Sequence, residues 1–241
     1  MITKDYLTFL MEYYSMEILS IIPARGGSTG IPMKNLRKLC SKPLLYYSIK
    51  SSLASRFITR TVVSTDNARI AKYALSQKAE VIKRPKKLAN NKASIEPTMK
   101  HVLTTLERKE KYRPDLIILL HNTSPLRTSK HIDEAISQFI QKKYDSLLSG
   151  YRSHQFLWRE KKNLVYPINY DPAKRPNRQQ IKTEFIENGA IYITTYENFM
   201  KTSVRISGKT GMYVMPEEFS IDINNESDLV IASNILKLFR R

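Results

Sequence analysis

The sequence has a single cysteine, Cys40, among its 241 residues. One cysteine cannot form a disulfide within the chain and cannot build a cysteine-based metal site, so both kinds of scaffold are excluded. The absence of disulfides suits a reducing compartment, and we expect a cytoplasmic location. The sequence neighbours of Cys40 are neither His nor Asp, so we interpret it as a packing residue and not as a nucleophile.

Long apolar runs are also absent. No stretch approaches the ~20 apolar residues that a membrane-spanning helix needs, so the sequence predicts no membrane partner. Residues 1–15 lack the basic start, apolar middle and small-residue cleavage site of a secretion signal. We interpret them as an N-terminal extension, and residues 16–241 as one domain.

Acidic residues are scarce: 22 Asp and Glu stand against 40 Lys and Arg, which gives a formal charge of +18. Such an excess attracts nucleic acids and phosphorylated or carboxylated small molecules. A lysine-rich, solvated surface explains the charge equally well, because the basic residues are scattered. A basic nucleic-acid-binding protein remains an alternative, although no zinc spacing or RNA-binding aromatic signature supports it.

Strand-like and helical segments alternate along most of the chain. Short apolar or β-branched runs predict strands and lie at residues 18–22, 61–63, 81–82, 116–120, 146–148 and 190–193. Segments with helical spacing of apolar residues lie at 44–53, 70–75, 95–111, 132–140 and 228–239. This alternation predicts an α/β fold with a mostly parallel, mixed sheet and helices on both faces.

Residues 151–185 break the alternation. They contain Trp158, several tyrosines, three prolines and a cluster of basic residues, and they follow neither period. We expect them to leave the sheet as an arm, a flap or a dimer-contact segment.

Glycine is rare, with seven residues in all, yet three glycines lie within five positions of the segment Pro-Ala-Arg-Gly-Gly-Ser-Thr-Gly-Ile-Pro-Met-Lys-Asn, residues 23–35. Glycines after a first strand let backbone N–H groups approach an anion. Arg25 and Lys34 add cationic donors that suit a triphosphate. The segment matches neither the Walker A loop nor the dinucleotide fingerprint. An ordinary glycine turn with solvated cations is the alternative.

Two more motifs follow expected strands. Residues 122–127, Asn-Thr-Ser-Pro-Leu-Arg, offer polar groups to a ligand, or equally form a turn capped by Thr128 or Ser129. Asp222 and Asn224 would share one side of an expected strand at 220–224. A carboxylate and an amide oxygen there suit Mg²⁺, and a polar outer strand face is the alternative. Ligands of such sheets bind beyond the carboxyl ends of the strands, so these loops should converge on one site.

In these motifs the chain resembles the acylneuraminate cytidylyltransferase family, the CMP-sialic acid synthetases. The resemblance runs from about Glu17 to the C-terminus, and its shared motifs lie at residues 23–35, 63–66, 84–85, 123–127, 187–192 and 220–223. It implies a Rossmann-like nucleotide-diphospho-sugar transferase fold, a homodimer, and CTP and Mg²⁺ as substrate and cofactor. The implied reaction joins CMP to a sialic-type keto-sugar acid and releases pyrophosphate, for the biosynthesis of surface glycans.

The resemblance also implies roles for particular residues. Those expected at the nucleotide are Ala24, Arg25, Gly26, Gly27, Ser28, Lys34, Asn35, Arg84 and Ser94. Those expected at the sugar are His121, Thr123, Ser124 and Arg178. Asp222 and Asn224 would bind the metal, and Arg25, Lys34 and Asp222 would be catalytic.

The chain departs from the family pattern at several of these positions. Thr29 stands where Lys is usual, His121 where Gln is common, and Asn224 where a second metal-binding Asp is common. Asn122 also replaces the usual Pro. An altered family member that acts on another sugar acid or nucleotide is therefore an alternative.

Overall fold

A computed structural model describes residues 15–27, 30–90, 94–177, 179–180 and 184–239 of the chain. The strands in these ranges are β1 (Ile18–Pro23), β2 (Lys38–Leu39), β3 (Lys42–Pro43), β4 (Arg60–Thr65), β5 (Glu80–Lys83), β6 (Leu116–Leu119), β7 (Ser146–Ser153), β8 (Trp158–Lys161), β9 (Leu164–Pro167), β10 (Glu184–Thr195) and β11 (Thr210–Val214). The helices are α1 (Leu44–Leu53), α2 (Ala68–Ser76), α3 (Glu96–Glu110), α4 (Ser129–Gln141), α5 (Tyr196–Thr202) and α6 (Glu226–Leu238).

Seven strands form one sheet in the order β11-β7-β10-β6-β1-β4-β5. The central strand β1 pairs in parallel with β4 and with β6. β10 alone reverses direction in this sheet, because it runs antiparallel to both of its neighbours, β6 and β7. The predicted mostly parallel, mixed sheet is therefore confirmed.

The two faces of the sheet are covered by different helices. Successive side chains of a strand point to opposite faces, so β1 sends Ile18 and Ile22 into one apolar cluster and Leu19 and Ile21 into another. The first cluster is closed by α1, α2 and α4, and the second by α3 and α5. This two-sided burial explains why β1 and β6 are apolar at nearly every position. Among the described helices, none combines the length and the apolarity needed to cross a bilayer.

The expected strand at 220–224 is wrong. These residues form an irregular extended segment that begins after a 3₁₀ turn, Glu217–Phe219, and ends where α6 begins. The backbone N–H groups of Asn224 and Asn225 donate to the carboxylate of Asp228, at 2.7 and 3.0 Å. Such local side-chain acceptors compete with ladder hydrogen bonds. The edge of the sheet is occupied instead by β11, which the periodicity did not indicate.

The irregular region is shorter than expected from its sequence. Residues 151–153 continue β7 and residues 184–185 begin β10, and the two strands pair there in register. Between them lies the antiparallel hairpin of β8 and β9. Its apolar side chains are about half exposed or more, with Leu164 at 61% and Val165 at 62%. The hairpin therefore lies apart from the core of the sheet.

The loop after β1 packs closely against the irregular segment at Asn224. A Cβ atom added at Gly30 would lie 2.4 Å from the carbonyl oxygen of Asn224, whereas one added at Gly27 would meet no atom of a described residue within 4 Å. The close approach of the Asn224 backbone thus requires a residue without a side chain at position 30, whereas nothing in the described structure requires one at position 27.

Substitution of these two glycines should therefore have different effects on stability. Gly30→Ala should lower the free energy of unfolding by about 1–3 kcal/mol, because the loop and the Asn224 backbone must move apart. Gly27→Ala should change it by less than about 0.5 kcal/mol. Denaturant unfolding of the two variants checks this difference, and equal stabilities would contradict the observed packing.

Candidate functional site

A cleft of about 570 Å³ lies at the carboxyl-terminal edge of the sheet. Its walls come from the loops after β1, β5 and β6, the first turn of α3 and the irregular segment at Asn224. Of the residues predicted from the sequence, those that line it are Arg25, Lys34, Asn35, Arg84, Ser94, His121, Thr123 and Asn224. These residues, from separate parts of the chain, thus lie at one cleft in the structure.

Arg25 bridges two walls of the cleft. Its Nη1 donates to the carbonyl of Asn90, across the cleft in the loop after β5, at 3.0 Å. Its own carbonyl accepts a hydrogen bond from Asn35 Nδ2 at 2.8 Å. The backbone at Arg25 is therefore fixed from inside the protein, while the guanidinium donates to a neutral carbonyl that a phosphate oxygen can replace.

Two N–H groups expected at the phosphates are bonded within the protein instead. Ala24 N donates to the carbonyl of Ser64 at 2.9 Å. Gly26 N donates to Asp66 Oδ1, also at 2.9 Å. In this structure Ala24 and Gly26 therefore anchor the loop to the end of β4.

Lys34 connects the glycine-rich loop to the irregular segment. Its Nζ donates to the carbonyl of Ile223 at 2.7 Å. Burial lowers the pKa of the Lys34 ammonium, the charges of Asp222 and Asp228 oppose this shift, and the positive charge of Arg25 adds to it. A partly dehydrated cation facing a cleft interacts strongly with an entering anion, because little water has to be removed from it.

Arg84 lies behind the loop with 5% of its surface exposed. Its Nη2 donates to the carbonyl of Ser64 at 2.8 Å. Burial lowers the pKa of Arg84 to about 10, with Asp66 opposing the shift. The guanidinium therefore stays charged at neutral pH and supplies a fixed positive charge to the floor of the cleft.

His121 contributes an uncharged imidazole to the cleft. Burial, together with the nearby positive charges of Arg205 and Arg127, lowers the pKa of His121 to about 4, and Asp222 and Glu187 oppose this shift. Its Nε2 has no hydrogen-bond partner among the described residues. A buried polar atom without a partner is costly, so this nitrogen is available for a ligand.

The motif at 122–127 divides between the cleft and the core. Thr123 lines the cleft, whereas Ser124 is buried behind it and donates to the carbonyl of Asn188 at 3.2 Å. Arg127 is 2% exposed and donates to the carbonyls of His121 and Ala190. The alternative expectation, a turn that ends in a helix cap, is confirmed for the end of this motif, because Thr128 caps the N-terminus of α4.

Asp222 and Asn224 lie together beside Lys34. Asn224 Nδ2 donates to Asp222 Oδ2 at 2.9 Å, and both side chains are exposed. Among the described residues, no group of three or more His, Cys, Asp or Glu is arranged to hold a metal ion. One exposed carboxylate hydrogen-bonded to Asn224, which lines the cleft, still fits Mg²⁺, which is commonly bound by one or two carboxylates plus phosphates and water.

Three residues assigned from the sequence, Ser28, Thr29 and Arg178, lie outside the described residues. Conversely, the cleft includes Asn90 and Thr98, to which sequence reasoning assigned no role. Asn90 directly precedes the polar sequence Asn-Lys-Ala-Ser at positions 91–94, and polar sequences that follow a strand are common at ligand sites, so its position is a usable signal. Thr98 lies inside a helical pattern and gives none.

Comparison with known proteins places the chain in a family. The family model described as "Cytidylyltransferase" matches residues 19–237. N-acylneuraminate cytidylyltransferase A of Danio rerio is 34% identical over 222 residues, 90% of this chain and 50% of that protein. N-acylneuraminate cytidylyltransferase of Escherichia coli O18:K1:H7 is 32% identical over 91% of this chain and 52% of that protein. The chain thus spans about half the length of these relatives.

The fold has known counterparts among solved structures. CMP:2-keto-3-deoxy-manno-octonic acid synthetase, solved in complex with CTP, superimposes with a TM-score of 0.64 at 14% identity, covering 92% of this chain and 99% of that one. At such identity the likeness concerns the fold alone. With the family match over residues 19–237, it leads to one conclusion: the chain belongs to the cytidylyltransferase family.

Proposed function

We propose that the protein transfers CMP from CTP to an acidic 2-keto sugar of the sialic type and releases pyrophosphate. The observation that carries this proposal is the convergence of Arg25, Lys34 and Arg84 on one cleft at the carboxyl ends of the strands. Both proposed substrates are anions, and three cations at one cleft suit them. The relatives named N-acylneuraminate cytidylyltransferase support the choice of nucleotide and sugar.

The proposed reaction is an in-line attack by the anomeric hydroxyl of the sugar acid on the α-phosphate of CTP. Such a transfer requires placement of the reactants and neutralisation of charge more than covalent chemistry by the protein. Arg25 and Lys34 would neutralise the charge that collects on the departing pyrophosphate. Lys34 is already held at the cleft by the carbonyl of Ile223, so it needs little reorganisation during the reaction. Arg25 would exchange the carbonyl of Asn90 for a phosphate oxygen when the nucleotide binds.

The sugar acid would lie against the His121 wall of the cleft. The neutral imidazole has a ring nitrogen without a partner, and Thr123 lines the cleft beside it. These groups can bind hydroxyl or amide substituents of a sugar through hydrogen bonds. Arg178 is proposed to add a cation for the carboxylate.

Asp222, with Asn224 beside it, would hold Mg²⁺ together with the phosphates. When bound, the ion would supply charge neutralisation at the phosphates and would lower the pKa of a coordinated hydroxyl. Asn224 brings an oxygen but no charge, so this pair binds more weakly than two carboxylates would. An altered family member, acting on another sugar acid or nucleotide, is the second candidate, and the names of the relatives do not favour it.

Incubation with CTP, Mg²⁺ and a panel of 2-keto sugar acids, with pyrophosphate release as the readout, tests the proposed function. Release with a sialic-type acid is the expected result. Release only with another acid or another nucleotide would favour the second candidate. No release with any pair, in a folded protein, would contradict both.

Removal of the Arg25 guanidinium should abolish turnover. Arg25→Ala should lower kcat/KM by at least about 10³-fold, in the range seen for arginines that neutralise a transferring phosphoryl group, and the thermal midpoint should stay close to that of the unaltered protein. Arg69→Ala, on the exposed side of α2, is the matched control and should retain activity. Near-normal rates in Arg25→Ala would refute the assigned role.

Removal of the Asp222 charge should raise the Mg²⁺ requirement. Asp222→Asn should shift the concentration of Mg²⁺ for half-maximal activity upward by about tenfold or more, because a neutral amide replaces the proposed carboxylate ligand. Glu218→Gln removes an exposed carboxylate from the neighbouring 3₁₀ turn and should leave the titration unchanged. A titration of Asp222→Asn that coincides with that of the unaltered protein would remove Asp222 from the metal site.

We propose further that the protein is a cytoplasmic homodimer and that the hairpin of β8 and β9 contributes to the contact. The hairpin exposes four large apolar or aromatic side chains, Trp158, Leu164, Val165 and Tyr166.

A charge introduced into a dimer contact made by these side chains is costly, because it would be buried without a partner. Val165→Asp should therefore shift the molar mass measured by light scattering from that of a dimer to that of a monomer. Val230→Asp, at an equally exposed position of α6, should not. A monomeric unaltered protein would contradict the dimer.

A further inference from the structure

Arg205 belongs to none of the motifs that point to the cleft, yet it contacts two elements that border it. It lies in the segment between α5 and β11 and forms an ion pair with Glu96, the first residue of α3. Its guanidinium carbon also lies 4.8 Å from the centre of the Tyr192 ring. The side chains of Arg205 and Glu96 are 28% and 17% exposed, so the pair is mostly removed from water.

Both partners of Arg205 adjoin residues that line the cleft. Glu96 follows Ile95, which lines the cleft at the start of α3. The Tyr192 ring lies 5.4 Å from the ring of His121, which also lines the cleft. Arg205 is therefore placed behind two walls of the cleft and does not line it.

The Tyr192 ring is 4% exposed and packs in the same apolar cluster as Met99, Val102 and Leu103 of α3. Its hydroxyl donates to Glu187 Oε1, and the guanidinium of Arg205 lies over its face. Loss of the guanidinium should therefore leave the ring and α3 in the cluster, but should remove the contact that fixes the polar side of the ring next to His121.

A planar guanidinium can pair with a carboxylate and stack on an aromatic ring at once, whereas an ammonium can do only part of this. Arg205 Nε is buried and without a hydrogen-bond partner among the described residues. Since an unpaired buried donor costs stability, hydrogen bonding alone does not account for an arginine here. The position of the guanidinium over the Tyr192 ring is the second contact that an arginine makes here.

We propose that Arg205 is a positioning residue for the sugar acid, which fixes Tyr192 and, through the ring contact, His121 before the sugar binds. The inference rests on the proposed function, in which His121 contacts the sugar. A wall held in its binding geometry lowers the cost of binding. Arg205 should thus control the KM for the sugar acid and not the KM for CTP.

The other end of α3 supplies a matched control. There Arg113 pairs with Glu107, and Tyr196 donates to the same carboxylate at 2.8 Å. The same three residue types are thus combined, and none of these three lines the cleft. Arg113→Met removes a guanidinium that pairs with the other end of the same helix, at a more exposed position that does not line the cleft.

The test is steady-state kinetics with CTP and the sugar acid varied in turn, on the unaltered chain, Arg205→Met, Arg205→Lys and Arg113→Met. Arg205→Met should raise the KM for the sugar acid about tenfold, and the KM for CTP should stay within about twofold. Arg205→Lys should recover part of the loss, because it keeps the charge opposite Glu96. Arg113→Met should leave both KM values unchanged.

An unchanged KM for the sugar acid in Arg205→Met would overturn the inference. So would an equal rise in both KM values, since that result indicates only a general loss of structure. Should Arg205→Met not fold, Glu96→Gln removes the partner charge and should raise the KM for the sugar acid selectively, and an unselective effect counts against the proposal. Failure of the proposed function would appear separately, as absent turnover in the unaltered chain.

Discussion

The cleft depends on the backbone of Ile223 and Asn224, where three separate parts of the chain meet. Ile223 accepts a hydrogen bond from the Lys34 ammonium and donates its N–H to the carbonyl of Thr123. The carbonyl of Asn224 lies so close to Gly30 that a side chain there has no room. One short irregular segment thus joins the loops after β1 and β6, and it brings Asp222 to the same place.

A second constraint is that the cations of this region are partly or fully withdrawn from water. Arg84 and Arg127 are almost completely buried, and burial lowers the pKa of Arg127 to about 9 and that of Arg84 to about 10. The cost of burying Arg127 is offset by hydrogen bonds that it donates to the carbonyls of His121 and Ala190 and to Ser48. Arg127 therefore ties the loop after β6 to β10. Arg84 faces the cleft instead. Preorganised charges of this kind act on a ligand without having to be moved.

The sequence predicted those features that repeat along the chain or depend on neighbours. The apolar period located β1, β6 and the described α-helices other than the short α5, and the clustered glycines located the loop that lines the cleft. The prediction from sequence failed at residues 220–224, where an expected strand is absent. There a local contact replaces strand pairing, because the Asp228 carboxylate accepts hydrogen bonds from the backbone N–H groups of Asn224 and Asn225. The sequence also contains no indication of Arg205, because the contact with Glu96 joins residues 109 positions apart. Two residues so far apart in the sequence produce no periodic pattern and no short motif from which their contact could be predicted.

The cleft between the glycine-rich loop and the segment at Ile223 is the proposed site of a nucleoside triphosphate, and this central claim has a direct test. The measurement is a crystal structure of the chain soaked with CTP. The account predicts that the triphosphate lies between Arg25 and Lys34, with Arg25 released from the carbonyl of Asn90. CTP bound at another surface, or a cleft that stays empty at saturating CTP, would contradict it.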